Sequence, residues 1–186
     1  WIDAKTIGKL VELSQSYPSY GILSPVHLTG NGDKPDPGFG YYAQIQQLDQ
    51  LSDKNILPIP FANAALWMIP VSVLKKVGGF SPLFYHYGED KDFVNRLTYH
   101  DYQVGYSPRV FGNHDREYRP LTHQVFLRTE YVYHLSEYAN IHHNGLKAFG
   151  YGVLAPMKKC LVALFKGKAS LSKDYFHMTF QLLRRS

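Results

Sequence analysis

The sequence predicts an α/β core over residues 1–120, followed by a helical extension over residues 121–186. Three observations carry this. Apolar runs of strand length alternate with amphipathic helical patterns in the first two thirds of the chain. Beyond residue 121 the pattern is helical only. Hydrophobic residues make up 45% of the 186 and charged residues 19%, which is enough apolar material for a folded core.

Ile2, Ile7, Leu10, Val11 and Leu13 recur at helical spacing, so residues 3–16 are read as a helix that ends before Pro18. "YGILSPVHL" (20–28) reads as a strand buried at Ile22 and Leu23. "TGNGDKPDPGFG" (29–40) has turn chemistry throughout and is expected to be an exposed, mobile loop. A short helix is expected over 41–51, and an apolar strand, "FANAALWMIP", over 61–70. "VSVLKKV" (71–77) reads as a helix closed by Gly78-Gly79. Another helix follows over 88–99, then two short strands over 102–108 and 109–115. A long helical pattern rich in Tyr and His covers 121–143, and two basic helices cover 152–166 and 170–185.

The formal charge is +5 and the isoelectric point near 9.1. That balance suits a polyanionic ligand, a nucleotide diphosphate or an anionic membrane face without selecting any of them. No nucleic-acid partner is expected. Cys160 is the only cysteine, which excludes an internal disulfide and a cysteine-based zinc site and fits a reducing compartment. No run of about 18 apolar residues stands out, so no membrane-spanning helix is expected.

The stretch "FYHYGEDKDFVNRL" (84–97) raises the chemical question. Glu89, Asp90 and Asp92 crowd the first turn of a helix. Carboxylates there offset the positive end of the helix dipole, which is a sufficient structural reason for them. Asp92 and Arg96 stand at i,i+4 spacing and are expected to pair on the helix surface. Phe93 and Leu97 are expected to face the core. Asp90 lies on the inward side, one turn before Phe93.

The neighbouring residues extend the pattern. Gly78-Gly79-Phe80 precedes the aromatic run. Glu89-Asp90 and Asp92 follow it, with Arg96 in the same helix and then Tyr102, Val104, Pro108 and His114. This ordered set over about residues 62–114 resembles the family 2 glycosyltransferases of GT-A fold, and the likeness extends over about residues 1–135. "FANAALWMIPVSVLKKV" fits the segment that family places before its Gly-Gly-Phe. Asp101 stands where a Gly is usual. "FLRTEYVYHL" (126–135) is similar to the helix of rhamnosyltransferase-like members, with Arg128 kept and Thr129 in place of the usual Asn.

The resemblance implies a partial GT-A, Rossmann-like mixed sheet flanked by helices. It also implies inverting transfer of a sugar from a nucleotide-sugar to a glycan or lipid-linked acceptor. Asp90 would be the general base and Glu89 would orient it or bind acceptor hydroxyls. His114 resembles the family's late ligand for Mn or Mg, shared with an Asp-x-Asp motif that these residues lack; "DKPD" (33–36) and "DKD" (90–92) have the wrong surroundings. The chain is thus expected to begin just past that motif, with Trp1-Ile2 and the first helix in the positions that follow it. Arg128 would bind the diphosphate and Trp67 would line the acceptor site. Each has a plainer reading: a strand-end imidazole, a solvated helix charge and a core tryptophan. His123, His134, His142 and His143 are read as surface residues. A non-catalytic domain that binds a glycan or a partner is the competing reading.

The expected location is cytoplasmic, with the inner face of a membrane as an option within it. The C-terminal helices interleave apolar residues with Lys158, Lys159, Lys166, Lys168, Arg184 and Arg185, a pattern that fits either contact with anionic lipid or ordinary packing with snorkelling lysines. Self-association, through those helices or through a sheet edge, is also expected.

Overall fold

A computed structural model describes residues 1–115 and 120–184. The chain is α/β, with eight α-helices and a small three-stranded mixed sheet among the described residues. It divides into two compact units: residues 1–79 with 96–118, and residues 80–95 with 119–186. The segment 80–95, which carries the acids, therefore groups with the C-terminal helices.

The first unit holds the sheet. Helix α1 (Ala4–Ser16) starts at Asp3, whose carboxylate accepts from the Lys5 N–H at 2.7 Å. Thr6, Leu10 and Leu13 form its buried stripe. Ile7 and Val11, though part of the apolar spacing, are exposed. Thr6 takes the inward place because its hydroxyl donates to the Phe111 carbonyl at 2.9 Å, which satisfies a buried polar group.

Strand β1 (Tyr20–Leu28) is buried from Gly21 to Leu28 and pairs in parallel with β3 (Gln103–Asn113). A short β2 (Leu57–Pro58) pairs antiparallel on the other side of β3, giving the order β1-β3-β2. The two strands expected over 102–115 are one. The register shifts between Pro25/Ser107 and Val26/Phe111, so the irregularity around Pro108 bends the strand without ending it.

Residues 61–70 are not a strand. They make one bridge, in which Leu23 and Met68 exchange backbone bonds of 3.0 and 2.8 Å. The expected loop 29–40 is only partly one. Helix α2 (Pro37–Ala43) begins inside it, earlier than the helix expected at 41–51, and a 3-10 turn follows at Leu48–Gln50. Pro35, Asp36, Phe39 and Gly40 are buried. Phe39 is fully enclosed and anchors the end of this segment. Helix α3 (Val71–Val77) closes at Gly78, which has φ +88°, as a C-terminal glycine allows.

Helix α4 (Glu89–Tyr99) spans the division, its residues from Arg96 onward grouping with the first unit. Phe93 and Leu97 are both fully buried, as their spacing predicts. Asp92 is buried as well, not on the surface. Arg96 donates to the carbonyls of Val77 and Gly79 at 2.8 and 2.9 Å, clamping the end of α3.

The second unit is built on α5 (His123–Tyr138), capped by Thr122, and on the pair α7 (Ala155–Phe165) and α8 (Ala169–Leu183). Helix α6 (Gly145–Phe149) runs through a π turn (Gly150–Leu154) straight into α7. Gly152 lies in that turn, where a Cβ would come within 2.4 Å of the Tyr138 ring. Phe84, Leu135, Cys160, Tyr175, Met178 and Leu182 form the core of this unit. The continuous helix Gly145–Phe165 is 21 residues long, with a mean hydropathy of 1.3 in its most apolar window. By length and composition it could cross a membrane, which the sequence reading had not anticipated.

Candidate active site

Two clusters carry the residues singled out from the sequence, one in each unit.

In the second unit, α4 starts with a left-handed turn. Tyr87 has φ +67° and Gly88 φ +90°. Positive φ is unusual for tyrosine and costs of order 1–3 kcal/mol, a strain that gathers at functional sites. Gly88 also has no room for a side chain, since a Cβ would lie 2.8 Å from Val132 and 2.9 Å from the Phe84 ring. The turn delivers Glu89 and Asp90, both half-buried, to the first turn of the helix. Asp90 Oδ1 accepts from the Lys91 backbone N–H at 2.7 Å. Glu89 Oε2 is buried and has no hydrogen-bond partner among the described residues. Such an acceptor is costly unless something supplies a donor.

Lys91 fixes this helix start against α5 by its ion pair with Glu137, its ammonium lying 5.6 Å from the Tyr133 ring centre. Arg128, on α5, reaches the aromatic run before the acids. Its guanidinium lies 5.4 Å from the Tyr87 ring centre, and Nη2 donates to the His86 carbonyl at 3.5 Å. Arg128 also lines a cleft of about 320 Å³ with Tyr131, Asp174 and His177. Arg128, Tyr87, Glu89 and Asp90 thus belong to one unit.

In the first unit, His114 follows the last residue of β3, and its backbone N–H donates to the Leu28 carbonyl at 2.8 Å. Its Nδ1 lies 3.7 Å from Asp36 Oδ2. Asp36 is 2% exposed and caps α2, its other oxygen accepting from Gly38 and Phe39 N–H at 2.9 and 3.0 Å. The His27 ring stands edge-on to His114 with centres 6.0 Å apart, and His27 Nε2 bonds Ser24 Oγ at 2.9 Å. The sequence reading missed Asp36 because "DKPD" looks like a turn. The available signal was Asp-Pro at a helix start, with Asp as N-cap and Pro at the first helical position. His114 and Asp36 offer one nitrogen and one carboxylate oxygen, which fits two ligands of a divalent cation. No group of three such residues occurs among the described residues. Trp67 is half-buried and lines an apolar groove with Ile7, Leu10, Leu66 and Met68 in this unit.

The surface reading of the histidines is corrected for two of them. His134 is 1% exposed, and its Nδ1 donates to the Tyr151 carbonyl at 2.8 Å, while its buried Nε2 has no partner among the described residues. Burial pushes its pKa below the usual histidine value, so the ring is neutral. The His143 side chain is 7% exposed and stacks on Tyr151, with Glu137 Oε2 at 3.7 Å. His123 is exposed beside Asp174, and His142 is exposed with Nε2 on the Asn95 carbonyl.

A third polar cluster escaped the sequence reading. Glu130 Oε2 accepts from both Lys159 Nζ and Tyr175 Oη. Burial works to raise the Glu130 carboxyl, but these two hydrogen bonds together with the charge of Lys159 hold it below the usual value. Burial and the bond to Glu130 push Tyr175 up to about 12.

Comparison with protein-family models, curated proteins and solved structures finds no match.

Proposed function

We propose that this chain is the acceptor-side part of an inverting glycosyltransferase of GT-A type. The observation that carries the reading is the strained Tyr87-Gly88 turn, which presents a carboxylate pair at a helix start, one oxygen of it buried with no donor among the described residues. Asp90 is the general base and takes the proton from the acceptor hydroxyl. Glu89 orients its neighbour or binds acceptor hydroxyls. Arg128, ordered against Tyr87, meets negative charge on the donor diphosphate.

In the first unit, taken by itself, His114 and Asp36 would hold a divalent cation, completed by ligands from an Asp-x-Asp motif. Such a cation, when bound, stabilises the charge on the leaving group.

The test is sugar transfer by the whole polypeptide that contains this chain, with Asp90→Asn compared against the parent. Turnover should fall roughly a hundredfold or more while the far-UV circular dichroism stays unchanged, the usual scale for losing a general base. Near-normal turnover would remove Asp90 from the chemistry. Glycan binding without any transfer by the parent would favour the non-catalytic reading.

A further inference from the structure

The α7–α8 pair leaves apolar side chains in the open. On α7 and the turn before it, Leu154, Leu161 and Phe165 are about half exposed or more, Phe165 at 87%. On α8, Phe176 and Phe180 are each half exposed. These are not scattered positions. Lys159 of α7 and Tyr175 of α8 both bind the same oxygen of Glu130 on α5, which fixes the side that each helix turns toward α5. At about 100° per residue, Leu161 and Phe165 lie about 160° and 120° round α7 from Lys159. By the same count of about 100° per residue, Phe176 and Phe180 lie about 100° and 140° round α8 from Tyr175. Both apolar stripes therefore face away from α5, on the outer side of the pair. A face of this kind on a folded unit marks an interaction surface.

Charge decides what fits it. Between Gly145 and Arg184 the chain carries Lys147, Lys158, Lys159, Lys166, Lys168, Lys173 and Arg184 against one acid, Asp174. Lys159 is paired with Glu130, and Asp174 faces His123, so the rest of the set is uniformly basic. Lys173 lies about 160° from Tyr175, on the same outer side as the phenylalanines. Lys166 and Lys168 follow Phe165 directly in the turn between the helices. A second copy docked symmetrically on this face would set like charges against each other. An anionic bilayer complements both properties: headgroups meet the lysines and the acyl boundary takes the aromatic and aliphatic side chains.

We propose that the outer face of α7 and α8 docks flat on an anionic lipid surface. The pair lies in the interface and does not span it. Pro156, Cys160 and Ala163, on the opposite side of α7, are buried, and the Cys160 carbonyl accepts from Ser172 of α8 at 3.0 Å. Withdrawing α7 into a bilayer core would break that packing and place Lys158 and Lys159 at mid-membrane.

The experiment is co-sedimentation of the full chain with phosphatidylcholine vesicles, with and without 30% phosphatidylglycerol, at about 0.1 M salt. Binding should require the anionic lipid and weaken as salt rises. Lys158→Glu with Lys173→Glu should lower partitioning roughly thirtyfold or more, since each lysine near such a surface contributes about 1 kcal/mol. Phe165→Ser should weaken binding to anionic vesicles without changing the helical circular dichroism, because that side chain is exposed. Equal binding to both vesicle types, or to neither, overturns the proposal. So does a dimer that Phe165→Ser dissolves in the absence of vesicle binding, which would assign the face to a second copy.

Discussion

Replacing Glu130 by Gln tests the reasoning about the helical unit most directly. The substitution keeps the shape and removes the charge. Glu130 Oε2 holds Lys159 Nζ and Tyr175 Oη together, tying α5, α7 and α8 at one atom. A hydrogen bond to a charged group contributes about 1.5–3 kcal/mol and a neutral one about 1 kcal/mol, so the Tyr175 bond loses roughly 1 kcal/mol. The Lys159 side chain is 39% exposed, so solvent screens its ion pair, whose loss costs about another 1 kcal/mol at most. The sum is about 2 kcal/mol, or roughly thirtyfold in an opening equilibrium.

Cys160 makes this measurable in the right place. It is the only cysteine, is buried in this core and sits on α7 beside Ser172. Its labelling by a disulfide reagent at pH 8 requires that the helices open. The expected result is about thirtyfold faster labelling in Glu130→Gln. Glu12→Gln, which removes only an exposed pair with Lys9 on α1, should leave the rate unchanged. Labelling of Glu130→Gln within a factor of about three of the parent would refute the account.

The helical unit should lose stability in acid in two steps. His134 is held below its ordinary 6.5, so stability falls as pH drops below 6.5 and the unfolded chain takes the proton first; Glu130 is held below 4.5, so its contribution is present above 4.5 and is lost as pH falls further. Urea midpoints across pH 3–8 check this, and Glu130→Gln should erase the second step. Gly88→Ala should destabilise the start of α4 by about 1–3 kcal/mol, since the new Cβ meets Val132 and Phe84 at positive φ; Gly8→Ala, with open space in mid-α1, should instead stabilise by up to about 1 kcal/mol, as thermal melts would show. Arg96→Lys should cost about 1–2 kcal/mol in the first unit, because one ammonium cannot hold the Val77 and Gly79 carbonyls as the two guanidinium nitrogens do; a urea midpoint within error of the parent would contradict it.

The sequence by itself determined the local elements. The apolar spacing of α1, the run of β1, the Gly78 stop of α3 and the acidic start of α4 are all local patterns, governed by helix and strand periods and by caps. Phe93 and Leu97 were placed in the core by their spacing alone. What lay beyond local reach was decided by partners distant in the chain. Asp36 reads as a turn residue until folding brings His114, 78 positions later, to within 3.7 Å of it. Residues 61–70 have the composition of a strand, but only Leu23 and Met68 find each other, so no ladder forms. His134 and Glu130 look like the polar face of a long helix. Packing against α7, the π turn and α8 buries one and ties the other to two helices. The outer face of α7 and α8 shows the same limit from the other side. Periodicity says that a helix has an apolar stripe, but only the bonds of Lys159 and Tyr175 to one carboxylate decide which stripe is covered and which is left open.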